Sequence, residues 1–151
     1  MIPSNLLPKK SSYFVAGGWA VCPSLASDMD VFVRMSPTWD SVDDLLVARQ
    51  QLIDHLRKEG YDFEEEAETR EFQSYNGQVL VGKVAEVFVY GTNTIHLLIT
   101  RCEAVEDVLN NFDISTCQIA ITNEGRIVYG DMWQPIKYPP IKLKDTLNTD
   151  A

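Results

Sequence analysis

Two aspartates, Asp28 and Asp30, stand one residue apart in the stretch "VAGGWAVCPSLASDMDVFV", which also carries the adjacent glycines Gly17 and Gly18. In a strand, residues two apart point to the same side, so both carboxylates would stand together at the strand's start while Met29 and Val31 face the core. Like charges that close raise each other's pKa unless a cation sits between them. Mg²⁺ (or Mn²⁺) is the natural candidate, because it takes hard oxygen ligands, often only one or two carboxylates, with water and substrate phosphates supplying the rest. Gly17 and Gly18 fit the same chemistry: a turn without side chains, leading into a helix, lets backbone N–H groups approach a polyphosphate closely.

The arrangement of Ala16-Gly17-Gly18, nine intervening residues and then Asp28-Met29-Asp30-Val31 resembles the signature of the nucleotidyltransferase superfamily that includes DNA polymerase beta, poly(A) polymerases and CCA-adding enzymes. The match covers about residues 13 to 33, with strand context on both sides. The resemblance implies that Asp28 and Asp30 hold two Mg²⁺ ions and that Gly17 and Gly18 contact the phosphates of a nucleoside triphosphate. It further implies transfer of a nucleoside monophosphate to an acceptor, which can be a protein, a small molecule or an RNA end.

Active members of that superfamily carry a third carboxylate on a neighbouring strand, and here two residues compete for the role. Glu86 interrupts the apolar run "KVAEVFVY", and Asp113 opens "FDISTCQIAI" after a helical segment. A stretch from "TIHLLIT" to "FDIST" is similar to a pattern in viral and phage-type relatives, in which His96 would occupy a Gln position and Asp113 the Asp. On that basis Asp113 is preferred to Glu86 as the third catalytic and metal-binding residue, with a strand-start or helix-end cap as its bland reading. A neutral imidazole at position 96 is a poor Mg²⁺ ligand beside a carboxylate. The incomplete triad supports an alternative: a binding or regulatory protein that keeps the fold without turnover, such as one half of a toxin–antitoxin-like pair or a chain completed by a protein partner.

The elements that must position these groups are read from periodicity. Residues 12 to 16 form a buried strand ended by the glycines, residues 19 to 26 a short helix, and residues 29 to 35 a second strand. A long helix spans about residues 41 to 59, with Val42, Leu45, Leu46, Leu52, Ile53 and Leu56 at three- and four-residue spacing and Gly60 as its stop. The acidic run "DFEEEAETREF", residues 62 to 72, reads as a solvated connection. "SYNGQ" is a turn, "GTNT" separates two strands of a hairpin, residues 103 to 112 read as a helix, and "TNEG" turns a second hairpin. The end "QPIKYPPIKLKDTLNTDA", about residues 134 to 151, is too rich in proline for a central strand and reads as an extended arm. The sum is one α+β domain over residues 1 to 151, a nucleotidyltransferase-like mixed β-sheet with helices packed on one face.

Composition narrows the partners. Lys and Arg total 13 against 22 Asp and Glu, a net charge of −9, which argues against extended nucleic-acid binding. Three cysteines without CxxC spacing suggest buried thiols rather than disulfides or a zinc knuckle, and His55 and His96 form no metal motif. No run approaches 18 apolar residues, and the first lysines follow the few apolar residues at the start, the reverse of a secretory signal. The expectation is a cytoplasmic protein, in the host cytoplasm if viral, with no membrane partner.

Overall fold

The computed structural model describes residues 2–24, 26–35, 42–74, 77–91 and 94–135, apart from the side chains of residues 42–43 and 67–78. Most of the proline-rich arm expected over residues 134 to 151 lies outside the described residues, as does the centre of each of the turns "SYNGQ" and "GTNT". Among the described residues the chain forms a mixed seven-stranded sheet and three α-helices. The strands are β1 (Tyr13–Ala16), β2 (Asp28–Arg34), β3 (Asp62–Ser74), β4 (Gly77–Phe88), β5 (Thr94–Arg101), β6 (Ile119–Thr122) and β7 (Ile127–Tyr129). The helices are α1 (Gly18–Val21), α2 (Val42–Lys58) and α3 (Val105–Leu109).

The strand order is β3-β4-β5-β2-β1-β6-β7, antiparallel at every pair except β2 and β5, which run parallel. Alternation along the central strands sends successive side chains to opposite faces. Val15, Val31, Val33, Ile95, Leu97 and Ile99 join Leu45, Leu52, Ile53 and Leu56 of α2 in one buried cluster. Full burial of such a side chain stabilises the fold by roughly 1.5–3 kcal/mol relative to exposure. Gly82 lets α2 come close, because a Cβ there would stand 3.1 Å from Leu45 Cδ2 and 3.2 Å from Ile99 Cγ2.

The other face carries Phe14, Ala16 and Phe32, which pack with Val105, Val108 and Leu109 of α3. The rings of Phe14 and Phe32 stack with centroids 5.1 Å apart, and Phe112 leans on Phe32 at 6.1 Å. Helices therefore cover both faces of the sheet, not one. The physical reason is that β1 and β2 are apolar on both sides, and a short helix was needed to close the second side.

A second correction concerns the acidic run. Residues 62 to 72 are not a solvated connection but most of β3, an edge strand paired with β4 along its length. Two of its carboxylates meet cations from other elements: Glu65 pairs with Arg57 at 2.7 Å and Arg49 at 3.3 Å, and Glu66 with Lys83 at 3.0 Å. Phe63 packs against the α2-side core. Two helices are also shorter than their sequence patterns. α1 ends before Cys22, whose extended backbone (φ −150°, ψ 91°) is what a residue preceding Pro23 favours. α3 is one and a half turns long. The three cysteines are free and half-buried rather than buried. Burial pushes the Cys102 thiol above its ordinary pKa, against the pull of Arg34. His55 has a structural role, its Nε2 lying 2.9 Å from the Asn5 carbonyl. No helix among the described residues is long and apolar enough to cross a membrane.

Candidate functional site

β1 ends at Ala16, opposite Asp30 in the antiparallel register, so the turn that follows it stands directly beside that carboxylate. Gly17 takes φ 79° and ψ −150°, a region essentially reserved for glycine. A Cβ added there would come within 3.1 Å of Asp30 Oδ2, whereas a Cβ on Gly18 would meet nothing within 4 Å. The first glycine is thus required by backbone and neighbour, and the second leaves open space above the chain.

On β2, Met29 and Val31 enter the α2-side core, which turns Asp28, Asp30 and Phe32 to the opposite face. Asp30 is level with His96 on β5, and His96 is level with Glu86 on β4. Glu86 reaches this face because of an irregularity in β4. Lys83 pairs with Leu98 and Ala85 with Leu97, leaving Val84 as the extra residue of a bulge. Val84 and Ala85 both enter the α2-side core, so Lys83 and Glu86, three residues apart, share the face that carries Asp30.

The half-buried imidazole of His96 is the centre of the cluster. Its Nδ1 lies 3.5 Å from Asp30 Oδ1, and its Nε2 lies 3.5 Å from Glu86 Oε1 and 3.8 Å from Asp28 Oδ2. Burial pushes the Asp30 carboxyl above its ordinary pKa; His96 opposes this, Asp28 adds to it, and Lys83 opposes it. Asp28 itself is exposed.

A cleft of about 590 Å³ opens over this face, within the size range that holds a nucleotide-sized ligand. Its floor is the sheet at Asp30, Phe32, Val81, Lys83, His96 and Leu98. The facing wall runs from Val108 through Asn111, Phe112, Asp113 and Ile114 to Cys117, and Gly17 and Gly18 border it at the β1 side. Asp113 is exposed on this wall, and no described residue hydrogen-bonds or pairs with its carboxylate, so it does not cap a helix or strand.

Of the residues singled out in the sequence, Gly17, Asp28, Asp30, Glu86 and His96 are brought together, Gly18 borders the same cleft, and Asp113 faces it from the other side. Trp19, directly after the glycines, packs against the α2-side core. Arg34 is turned away from the cluster and donates to the carbonyls of Cys102 and Glu103. Lys83, a cation in the cleft floor, was missed. The signal was hidden because the bulge at Val84 shifts the alternation that would have assigned Lys83 and Glu86 to one side.

Two strand carboxylates on one face suit a Mg²⁺ or Mn²⁺ ion that arrives with phosphate and needs only one or two protein ligands. Among the described residues no group of three or more His, Cys, Asp or Glu forms a ready metal cage.

Fold and site together define an α+β protein with an acidic, glycine-flanked cleft on one face of a mixed sheet. Comparison of the chain with protein-family models, with curated proteins and with solved structures yields no match in any of the three.

Proposed function

We propose that the protein is a nucleotidyltransferase that moves a nucleoside monophosphate from a nucleoside triphosphate to an acceptor hydroxyl. The observation that carries this reading is the abutment of the Gly17 turn on Asp30, at the edge of a cleft large enough for a nucleotide, with Asp28 on the same strand face. The phosphates lie along Gly17 and Gly18, where the open space above Gly18 permits close approach to the backbone. Asp28 and Asp30 would hold the divalent ion, which when bound neutralises phosphate charge and acidifies an acceptor hydroxyl. Glu86, whose Oε1 lies 3.5 Å from His96 Nε2, supplies a carboxylate proton acceptor on the same face. Attack of the acceptor oxygen on the α-phosphorus forms the new ester bond, the bond to the bridging oxygen breaks, and pyrophosphate leaves. Glu86, which meets the same imidazole as Asp28 and Asp30, is the better candidate for a third carboxylate, and Asp113 is left to the nucleotide.

A second reading has its own support. An imidazole occupies the register position between Asp30 and Glu86, in the middle of the row across β2, β5 and β4. A chain that binds nucleotide without turnover, or with a protein partner that completes the site, accommodates that substitution. Incubation of a cell extract with nucleoside triphosphates labelled at the α-phosphate, in Mg²⁺ or Mn²⁺, separates the two. The enzyme reading expects a labelled acceptor that disappears with Asp28→Asn and Asp30→Asn. No label, with thermal stability raised by nucleotide and metal, selects the non-catalytic reading; no label and no thermal response sinks both.

A further inference from the structure

The cleft has two chemically distinct parts, and the second part makes a statement about the base. If phosphate lies by Gly17, Gly18 and the Asp28–Asp30 pair, the rest of the nucleotide must follow the remaining floor and wall. That region is apolar: Phe32, Val81 and Leu98 form its floor, and Phe112 and Ile114 stand on its wall. Such surroundings suit a planar heteroaromatic ring. Beside this apolar surface, between Phe112 and Ile114, stands the exposed carboxylate of Asp113, with which no described residue pairs. The neighbouring amide, Asn111 Nδ2, is turned to the carbonyl of Asp107 at 2.8 Å. The polar edge that the wall offers to a base is therefore an acceptor.

We infer that the cleft selects guanine, with the Asp113 carboxylate accepting from the base's N1–H and N2–H₂ donors. This rests on the nucleotidyltransferase reading. An ionised carboxylate only accepts, through two oxygens side by side, and it matches a base edge that carries two adjacent donors. Guanine has that edge. Adenine and cytosine set a ring-nitrogen acceptor beside their amine, so the second carboxylate oxygen would meet a lone pair. Uracil sets its single N–H between two carbonyls. A good bidentate contact of this kind discriminates by about 10- to 100-fold in affinity.

Isothermal titration of the full chain in MgCl₂ with GTP, ATP, CTP and UTP, with guanosine and with inorganic tripolyphosphate, tests the inference. The expected result is GTP tightest by about 10- to 100-fold, with Asp113→Asn removing the preference and leaving tripolyphosphate affinity unchanged. Asp113 is exposed and pairs with no described residue, and far-UV circular dichroism establishes that the variant is folded. Equal affinity for the four nucleotides overturns the guanine inference while sustaining the phosphate site. Loss of tripolyphosphate binding in Asp113→Asn also overturns it, because Asp113 would then be acting on metal. Guanosine binding as tightly as GTP, with no binding of tripolyphosphate, sustains the base reading and overturns the transferase reading. No binding of any of these ligands at about 1 mM overturns both.

Discussion

Asp30 Oδ2 lies 3.1 Å from the point where a Cβ of Gly17 would stand, so the turn after β1 and the carboxylate on β2 are fitted to each other at the level of single atoms. Gly17→Ala must therefore distort a backbone at φ 79° and move Asp30 as well. The expected cost is about 1–3 kcal/mol in urea unfolding. Gly18→Ala, with open space at its Cβ, should change stability by no more than about 0.5 kcal/mol. Calorimetric titration should show that Gly18→Ala nevertheless weakens nucleotide binding, since the added methyl stands where phosphate approaches. Unaltered affinity would remove Gly18 from the site.

The raised pKa of Asp30 has a definite sign in stability. Because burial lifts it above the unfolded value, the native state holds its proton to a higher pH, and the contribution is present at low pH and lost as pH rises through the folded pKa. Asp30→Asn removes that loss. The variant should melt at higher temperature than wild type at neutral pH, with the gap closing as pH falls to and below the ordinary carboxylate range. A melting temperature below wild type at neutral pH would contradict the assignment of burial as the dominant cause.

His96 is the strongest influence holding the Asp30 pKa down, at 3.5 Å from its carboxylate. His96→Gln keeps a polar side chain of similar length and removes the positive charge the imidazole can carry. Carboxyl-carbon NMR titration should then find the Asp30 pKa moved further up. An unchanged titration would mean that the imidazole carries no charge in the cluster.

Adjacent residues on β5 separate stability from binding. Leu97 is fully buried in the α2-side core, and Leu97→Ala should cost about 2–5 kcal/mol in denaturant unfolding. Leu98 is half-buried in the cleft floor, so Leu98→Ala should cost less and should weaken nucleotide binding. The reverse order of stabilities would refute the assignment of faces.

Glu86→Gln tests the third carboxylate. If Glu86 supports the ion held by Asp28 and Asp30, Mn²⁺ binding in the presence of nucleotide, followed by electron paramagnetic resonance, should weaken by about 10- to 100-fold. Asp113→Asn should leave Mn²⁺ binding in the presence of inorganic tripolyphosphate unchanged.

Local chemistry made several elements readable before any fold was known. The period of two puts Asp28 and Asp30 on one side with Met29 and Val31 on the other, and that needs only the geometry of an extended chain. α2 was readable because its apolar residues repeat at helical spacing, and both hairpins because their turn residues are local. β3 was not: an acidic segment becomes a strand only because Arg49, Arg57 and Lys83, distant in sequence, meet its carboxylates and β4 pairs its backbone. The coverage of both faces was likewise out of reach, because nothing local to Phe14 and Phe32 says which helix will meet them.

The amino-acid order alone determined a pair of carboxylates on one strand face and a glycine turn before it, since both follow from bond geometry over a few residues. Tertiary structure decided what surrounds them. The parallel pairing of β2 with β5 set His96 beside Asp30, and one extra residue at Val84 turned Glu86 and Lys83 toward the same face of the sheet. The first outcome depends on register between strands far apart in the chain and the second on a bulge in the β4–β5 hairpin, and both are settled by the packing of two cores at once, which no short stretch of chain contains.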